Sequence, residues 1–453
     1  MKLSATIRGV RYGFGSVKEV LAKANPPKSG DDLAGVSARD AVERVAARAV
    51  LSELTLAELR ESPVVPYEAD ELTRLVEDSL HEEAFRAVKH LSVGQFREWL
   101  LATGTTGRLI RSISPGLTPE MSAGVCKLMS NLDLMTVGAK LEVVTRANNT
   151  LGLPGRFSSR VQPNHPTDDV AGILLSMREG ISYGCGDAVI GVNPATDTAE
   201  STAEILTAID AVLKKHDVPT QHCVLSHVTV QMRALDLGCP MDLMFQSLAG
   251  SQGANEAFGI SVSLIVEAYA KMKEKGTTRG PNCMYFETGQ GTAFSCSAHH
   301  GADQVTMEAR AYGFARRYKP FIVNTVVGFI GPEYLEDGVQ ITRAGLEDHF
   351  MGKLLGVPMG CDACFTYHAS MGQNELESLK VLLAAAGCTY LMSLPVGDDI
   401  MLNYQSTSYH DIPSVRRLVG KRPAPEFDAW LQKVGIMDGD APGPRFGDPT
   451  VLR

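Results

Sequence analysis

The feature that most constrains the fold is a regular alternation of short β-rich runs with amphipathic segments after residue 150. The β-rich runs lie at 155–161, 188–193, 222–227, 243–248, 283–288, 321–329, 357–362 and 389–394. Helix-like segments follow them at 167–179, 199–215, 228–237, 255–274, 303–317, 341–354, 374–386 and 412–419. This alternation predicts parallel strands joined by helical crossovers.

The number of strand–helix units then favours one architecture. Eight units are what a closed (β/α)₈ barrel requires. An open doubly wound sheet shows the same alternation, but no β-rich run here leads directly into a G-x-G-x-x-G loop. We therefore expect an α/β protein built on a (β/α)₈ barrel, with the open sheet as the alternative.

The pattern of apolar residues and the local composition divide the chain into three parts. Residues 1–150 are predicted to be mainly helical, residues 151–420 to form the barrel, and residues 421–453, rich in Pro and Gly, to form a short peripheral C-terminal segment. In the first part, the segment SARDAVERVAARAVLSEL has Ser37 and Asp40 in position to form a capping pair for a helix. The apolar residues expected on its buried stripe are Val42, Val45, Ala46, Ala49 and Val50.

Composition narrows the classes of function. The chain has 453 residues and a formal net charge of −9, which disfavours binding to nucleic acids and to anionic membranes. No apolar stretch approaches the roughly 18 residues of a membrane span, and no signal peptide is recognisable. Nine scattered cysteines indicate reduced thiols, so a cytoplasmic protein is expected.

Polar side chains gather where the predicted strands end, which is where barrel enzymes place their active sites. The residues at or just after strand ends are Arg160, Gln162, Asn193, Gln246, Ser247, Glu287, Phe329, Asp362, Asp398, Asp399 and Met401. Each polar residue taken alone is most simply a hydrogen-bonding loop residue or part of a buried ion pair. Their convergence from different strands on one mouth indicates a site.

The charges of these residues suggest a type of ligand. Glu287 and Asp362 would suit an ammonium group. Arg160, Gln162 and Asn193 would suit a hydroxyl or another oxygen. The site therefore favours a small molecule that is cationic at one end and polar at the other, such as an amino alcohol or an amino acid.

Several barrel chemistries find no support, and no metal site is expected. The chain lacks an H-x-H pair and has no lysine at a strand end for a Schiff base. Cys361 and Cys364 form a single C-x-x-C around Asp362, without the second pair that a zinc site would need. The segment Glu347–Gly352, EDHFMG, approximates the D-x-H-x-x-G cobalamin motif, but it has Glu for Asp and a helical pattern.

Long, uncommon strings spread over nearly the whole chain resemble the large-subunit family of ethanolamine ammonia-lyase. These strings are KSGDDLAGV, GDAVIGVNP, YFETGQG, GADQVTMEAR, NTVVGFIGPEYL, RAGLEDHFMGKLLG, MGCD and PVGDDIMLNYQ. The resemblance implies a (β/α)₈ barrel that carries the substrate site. It also implies conversion of ethanolamine to acetaldehyde and ammonia by a radical reaction initiated by adenosylcobalamin.

The resemblance also assigns roles to positions. Arg160, Gln162 and Asn193 would hold the substrate's hydroxyl end, with Gln162 also near nitrogen. Glu287 and Asp362 would hold its ammonium, and Phe329 would form an apolar wall. Arg160, Glu287 and Asp362 are the expected catalytic residues. The expected cobalamin contacts are Pro194, Gln246, Ser247, Ser295 and Met401.

The implied partners are a small subunit and further large subunits, as dimers that assemble into a trimer of dimers, in some bacteria within a microcompartment. One position departs from the family pattern. Some members have a glutamate near the adenosyl ribose where this chain has Ala257, and Glu256 precedes it. Two other classes remain as alternatives. They are a non-catalytic barrel that binds small amines and a metal-dependent barrel hydrolase or aldolase.

Overall fold

The computed structural model describes residues 2–331, 333–399 and 401–453. The chain begins with a β-hairpin, Ser4–Ile7 paired with Val10–Gly13. The helices that follow are Val17–Ala24, Ser29–Leu33, Ala41–Glu53, Leu56–Arg60, Glu71–Asp78, Glu82–Val88, Val93–Leu101, Gly107–Ile113, Pro119–Lys127 and Asn131–Lys140. A second short hairpin, Thr145–Arg146 with Thr150–Leu151, leads into the barrel.

The helix Ala41–Glu53 confirms one sequence prediction and corrects another. Asp40 is its N-cap and accepts hydrogen bonds from the backbone N–H groups of Val42 and Glu43. Val45, however, is 52% exposed, so its place on the buried stripe was wrong. The helix buries Ala46, Ala47, Val50 and Leu51 instead. In a segment with Ala or Val at most positions, two neighbouring stripes satisfy the same periodicity, and the contacts of the folded chain choose between them.

Within the described residues, eight parallel strands form one sheet. In chain order they are β1 (Ser158–Val161), β2 (Val189–Val192), β3 (His222–Val224), β4 (Met244–Ser247), β5 (Met284–Thr288), β6 (Ile322–Val327), β7 (Met359–Ala363) and β8 (Tyr390–Ser393). Each lies inside one of the β-rich runs predicted from sequence or extends one residue past it.

The strand order shows that the sheet curls into a barrel. Neighbours follow chain order, and β1 also pairs with β8, with Arg160 opposite Met392. The two remaining edges meet where the Leu243 N–H, just before β4, donates to the His222 carbonyl in β3 at 3.3 Å. The predicted (β/α)₈ barrel is confirmed, since an open doubly wound sheet would leave its first and last strands unpaired with each other.

Helices follow the strands and cover the outside of the barrel. They are α1 (Val170–Ser182), α2 (Ala199–Lys215), α3 (Val228–Asp236), α4 (Val262–Lys275), α5 (Gln304–Ala315), α6 (Gly338–Leu354), α7 (Gln373–Ala385) and α8 (Asp411–Val419). Short helices, Gln252–Ala257 and Thr292–Ser295, lie in the loops after β4 and β5. None of the helices described is long and apolar enough to cross a bilayer.

The barrel interior is filled by large side chains that need small neighbours. Tyr285 and Tyr390 are fully buried. A Cβ on Gly360 would lie 2.0 Å from the Tyr390 ring, so only glycine leaves space for that ring. This close packing provides the rigid floor on which the strand ends hold their polar side chains.

The C-terminal segment packs back on the barrel. It contains the helix Pro425–Lys433 and the hairpin Met437–Asp438 with Ala441–Pro442. Asp187 anchors it: Oδ2 accepts from the Ala424 N–H at 2.8 Å, and Oδ1 accepts from Ser159 N and Arg416 Nη2, each at 2.8 Å. One buried carboxylate thus joins β1, α8 and the segment after it.

Candidate active site

Arg160 lies at the centre of the mouth, and its guanidinium is almost entirely buried. Nη1 donates to Glu287 Oε1 at 2.5 Å and to the Tyr285 hydroxyl, and Nη2 donates to Gln162 Oε1 at 2.5 Å. Burial lowers the pKa of Arg160, but the facing oxygens of Tyr285 and Glu287 outweigh burial and hold it above its ordinary value. The charge is therefore permanent.

Backbone geometry explains why these groups meet. Arg160 and Gln162 are two residues apart at the end of β1, and Tyr285 and Glu287 are two apart in β5. Alternate residues of a strand share a face, so each pair points into the barrel. Gly191 in β2 makes room for the guanidinium, because a Cβ there would lie 2.9 Å from Arg160 Nε.

Among the described residues, the Glu287 side chain makes its hydrogen bonds through one oxygen. Oε1 accepts from Arg160, from the Tyr285 hydroxyl and from Asn324 Nδ2 at 3.2 Å. Its side chain is 16% exposed, compared with 2% for Arg160. Oε2 makes no hydrogen bond to any described residue, so this ionisable oxygen remains for a ligand.

The amide of Gln162 is held in one orientation. Nε2 donates to Asp399 Oδ2 at 2.9 Å and to the Tyr404 hydroxyl at 3.0 Å, while Oε1 accepts from Arg160. Both amide hydrogens are thus used within the protein. What Gln162 can offer a ligand is the second lone pair of Oε1, an acceptor.

Asp362, at the end of β7, is buried and accepts from the Ser406 hydroxyl at 2.5 Å. Burial is the main reason that its pKa rises to about 7, and the charge of Glu287 adds to the rise, while Ser406 and Arg160 oppose it. A cation bound beside Asp362 and Glu287 would favour the ionised form of both carboxylates.

Asn193 and Phe329 border the same mouth. The Asn193 backbone N–H donates to Asn164 Oδ1 at 2.8 Å, and Asn164 Nδ2 donates to Asp399 at 2.9 Å. The Asn193 side chain makes no hydrogen bond to any described residue. The Phe329 ring packs edge-on against Tyr404, with centroids 5.1 Å apart, and the hydroxyl of the same tyrosine accepts a hydrogen bond from Gln162.

The residues expected to contact cobalamin are spread around the rim. Pro194, Ser247 and Met401 are half-buried, and Ser295 is exposed. Pro194 follows β2, Ser295 follows β5 and Met401 follows β8. Ser247 ends β4 and lies opposite Glu287 in the β4–β5 register. Within the described residues, none of their side chains donates or accepts a hydrogen bond with the side chain of Arg160 or Glu287.

Gln246 is the most enclosed of the expected cobalamin contacts. Its Oε1 accepts from the Val228 N–H at 3.0 Å, and its Nε2 donates to the Ser247 carbonyl at 3.3 Å. Both ends of this amide are engaged within the protein. Glu256, next to Ala257, is exposed, and its Oε1 accepts from Gln252 at 2.8 Å.

Four residues that complete the site were not singled out from sequence. They are Tyr285, Asn324, Tyr404 and Ser406, whereas Asp399 was named among the strand-end residues but given no role. Tyr285 could have been found from its two-residue spacing to Glu287, and Asn324 lies opposite Glu287 in the β5–β6 register. The others lie in the loop after β8, which folds over the mouth as Tyr404–Gln405 pairs with Phe365–Thr366.

The two near-motifs have structural explanations. His349 is buried inside helix α6, which agrees with treating EDHFMG as a coincidence. Cys361 and Cys364 are buried free thiols. No group of three or more His, Cys, Asp or Glu side chains within residues 2–331, 333–399 and 401–453 is arranged to hold a metal ion.

Fold and site together define the class: a (β/α)₈-barrel enzyme with a buried, charged mouth for a small polar ligand. The profile of the family described as "Ethanolamine ammonia lyase large subunit (EutB)" matches residues 12–443. The chain is also 52% identical over 452 residues to the ethanolamine ammonia-lyase large subunits of Salmonella typhimurium LT2 and Escherichia coli K12, covering 100% of both chains in each case.

The chain therefore belongs to the ethanolamine ammonia-lyase large-subunit family, and its role is that of the catalytic large subunit of such a lyase. A solved HPPK-DHPS structure from Plasmodium falciparum aligns over 78% of this chain and 62% of its own, with a TM-score of 0.41 and 10% identity. That likeness is too weak to bear on the fold or the function.

Proposed function

We propose that this subunit converts ethanolamine to acetaldehyde and ammonia with adenosylcobalamin as its cofactor. The observation that carries the proposal is the buried group of Arg160, Glu287 and Asp362 at the carboxyl ends of β1, β5 and β7. A permanent cation beside two carboxylates is unusual in a protein interior. It matches a substrate that has an ammonium at one end and a hydroxyl at the other.

The ammonium end would lie between Glu287 and Asp362. Glu287 Oε2 has no hydrogen-bond partner among the described residues, and Asp362 is close enough to Glu287 for the charge of Glu287 to raise the pKa of Asp362. The lone pair of Gln162 Oε1 would accept a further hydrogen bond from nitrogen. Arg160 and Asn193 would hold the hydroxyl end, with Phe329 as the apolar wall.

Arg160 would also act during the reaction. Its guanidinium, at the hydroxyl end, could stabilise partial negative charge on the hydroxyl oxygen while the carbon–nitrogen bond breaks and ammonia leaves. Glu287 and Asp362 orient the substrate and accept its hydrogen bonds. Because the substrate has so few atoms, nearly all of its polar groups must be held at once.

The rim residues fit a large cofactor placed above a small substrate. Pro194, Ser247, Ser295 and Met401 retain exposed surface on four sides of the mouth, whereas Arg160, Gln162 and Asp362 are buried. Gln246 would contribute its remaining surface, since both ends of its amide are engaged. Adenosylcobalamin, when bound, supplies the organic radical that removes a hydrogen atom from the substrate, and the barrel keeps solvent away.

We further propose a small-subunit partner, because the rim is open on the side that a cofactor of this size would occupy. The large subunit alone would then be inactive. We also propose that large subunits form dimers that assemble into a trimer of dimers. A cytoplasmic location, with residence in a microcompartment, is part of the same proposal. Both rest on what is typical of the family.

Reconstitution tests the proposal. The chain is co-expressed with its small subunit, supplied with adenosylcobalamin and ethanolamine, and assayed for acetaldehyde. We expect product only when all four components are present, and none from Arg160→Ala. A folded complex that binds cobalamin and ethanolamine without forming product would overturn the lyase assignment in favour of a binding protein. Parallel assays with 2-aminopropanol define the substrate range.

A further inference from the structure

Among the described residues of the mouth, the side chain with the most hydrogen bonds is that of Asp399, a strand-end residue that has no role in the proposed function. It is 5% exposed and lies in the loop after β8. Its two carboxylate oxygens accept hydrogen bonds from two different parts of the mouth. Oδ2 accepts from Gln162 Nε2 and Asn164 Nδ2, each at 2.9 Å. Oδ1 accepts from the backbone N–H groups of Met401, at 2.8 Å, and Leu402.

The first pair of contacts belongs to the substrate side. Gln162 can orient its amide in two ways that differ by exchange of oxygen and nitrogen. An anionic acceptor at Asp399 fixes Nε2 toward the loop and therefore fixes Oε1 toward Arg160 and the substrate. Asn164 is fixed in the same manner, so that its Oδ1 faces the Asn193 N–H. One carboxylate thus orients the residues proposed for both ends of the substrate.

The second pair of contacts belongs to the cofactor side. Met401 is one of the rim residues proposed to contact cobalamin, and the carboxylate holds its backbone together with that of Leu402. The loop is otherwise closed by its own backbone, because the Asp399 N–H donates to the Tyr404 carbonyl at 3.1 Å and the Asn403 N–H donates to the Asp399 carbonyl at 3.1 Å. A shift of Gln162 or Asn164 would therefore reach Met401 through Asp399.

We infer that Asp399 is a positioning residue that couples the amino-alcohol site to the cobalamin-facing loop. The inference rests on the proposed function and adds a thermodynamic consequence. If ethanolamine stabilises the Gln162 orientation that Asp399 requires, it stabilises the Met401 loop as well. Ethanolamine and cobalamin should then each tighten the binding of the other by the same factor.

A matched pair of variants isolates this role. Asp399→Asn keeps the shape, but its amide places an N–H group where one of the two oxygens accepts two hydrogen bonds. Asp398→Asn makes the same change one residue earlier, where the only hydrogen bond that the carboxylate accepts from a described residue comes from the exposed Tyr367 hydroxyl. Both variants are made in the full complex with the small subunit, and thermal unfolding confirms that each is folded.

The experiment measures the dissociation constant of cyanocobalamin, which cannot start the reaction, by absorbance difference with and without saturating ethanolamine. We expect ethanolamine to tighten cobalamin binding at least about fivefold in the wild type and in Asp398→Asn, but less than about twofold in Asp399→Asn. Asp399→Asn should also raise the KM for ethanolamine more than it lowers kcat.

Three results would overturn the inference. The first is wild-type coupling retained in a folded Asp399→Asn variant. The second is no coupling in a wild type that binds both ligands, which would leave the proposed function intact. The third is no cobalamin binding by the wild-type complex, which would remove the cofactor proposal and this inference together.

Discussion

Replacing Glu287 by Gln tests the proposed ammonium site, because the change keeps the shape of the side chain and removes its charge. Glu287 Oε1 holds Arg160 at 2.5 Å and Asn324 at 3.2 Å, contacts that an amide oxygen can retain. Oε2, which faces no described protein donor, would become an NH₂ group pointing at the substrate's ammonium. The variant therefore affects the ligand more than the protein around it.

The size of the effect follows from the kind of bond that is lost. A hydrogen bond to a charged group contributes about 1.5–3 kcal/mol, and about 1.4 kcal/mol corresponds to a tenfold change in affinity. The KM for ethanolamine should therefore rise roughly tenfold to 150-fold. Because Glu287→Gln replaces the acceptor Oε2 by a donating NH₂ group, the rise in KM should lie toward the upper end of this range.

The assay follows acetaldehyde formation by the complete complex, with 1,2-ethanediol as a competing ligand. The diol has the size of ethanolamine but carries no charge, so its inhibition constant should change less than about threefold. Equal losses for the two ligands would mean that the variant had collapsed the site. An unchanged KM for ethanolamine would refute the reasoning and return Glu287 to a purely structural role.

Three further predictions follow from individual contacts. Asp362 must be ionised to pair with a cation, and its pKa is raised to about 7. The kcat/KM for ethanolamine should therefore fall as the pH drops below about 7. Asp362→Asn should abolish that step in the pH profile. Because this folded pKa lies above the ordinary value of 3.8, the ligand-free protein should lose stability as the pH rises from about 4 to about 7, which thermal unfolding across that range measures. Asp187→Ala leaves Arg416 buried without its counter-ion and should cost about 3–5 kcal/mol of unfolding free energy. Urea denaturation tests this against Asp440→Ala, whose carboxylate is exposed and whose loss should leave the midpoint unchanged.

The barrel could be predicted from sequence because both the strand runs and the helical segments stand out clearly along the chain. The strand runs are short and apolar, and the helical segments between them carry clear 3.6-residue stripes. Helix α2, for example, has the bounds 199–215 in both the prediction and the structure. Where alanine and valine occupy most positions, as around Val45, periodicity alone could not choose the buried stripe.

The site was predictable to the extent that it lies on strands. Arg160, Gln162, Glu287 and Asp362 follow from their positions at strand ends, and the alternation of side chains would have added Tyr285. Tyr404 and Ser406 could not be found in this way, and for Asp399 only its place after the eighth strand could be predicted, not its contacts. They reach the mouth because an aperiodic loop after β8 crosses over to the strand ends of β1 and β7, which is a matter of tertiary packing.

The orientation of ethanolamine in the mouth tests the central claim most directly. A crystal structure of the complex with the small subunit, cyanocobalamin and ethanolamine would give it. The proposed site predicts the nitrogen within about 2.7–2.9 Å of both the Glu287 and the Asp362 carboxylates, and the hydroxyl toward Arg160 and Asn193. An ethanolamine bound in the reverse direction, or bound away from these carboxylates, would contradict it.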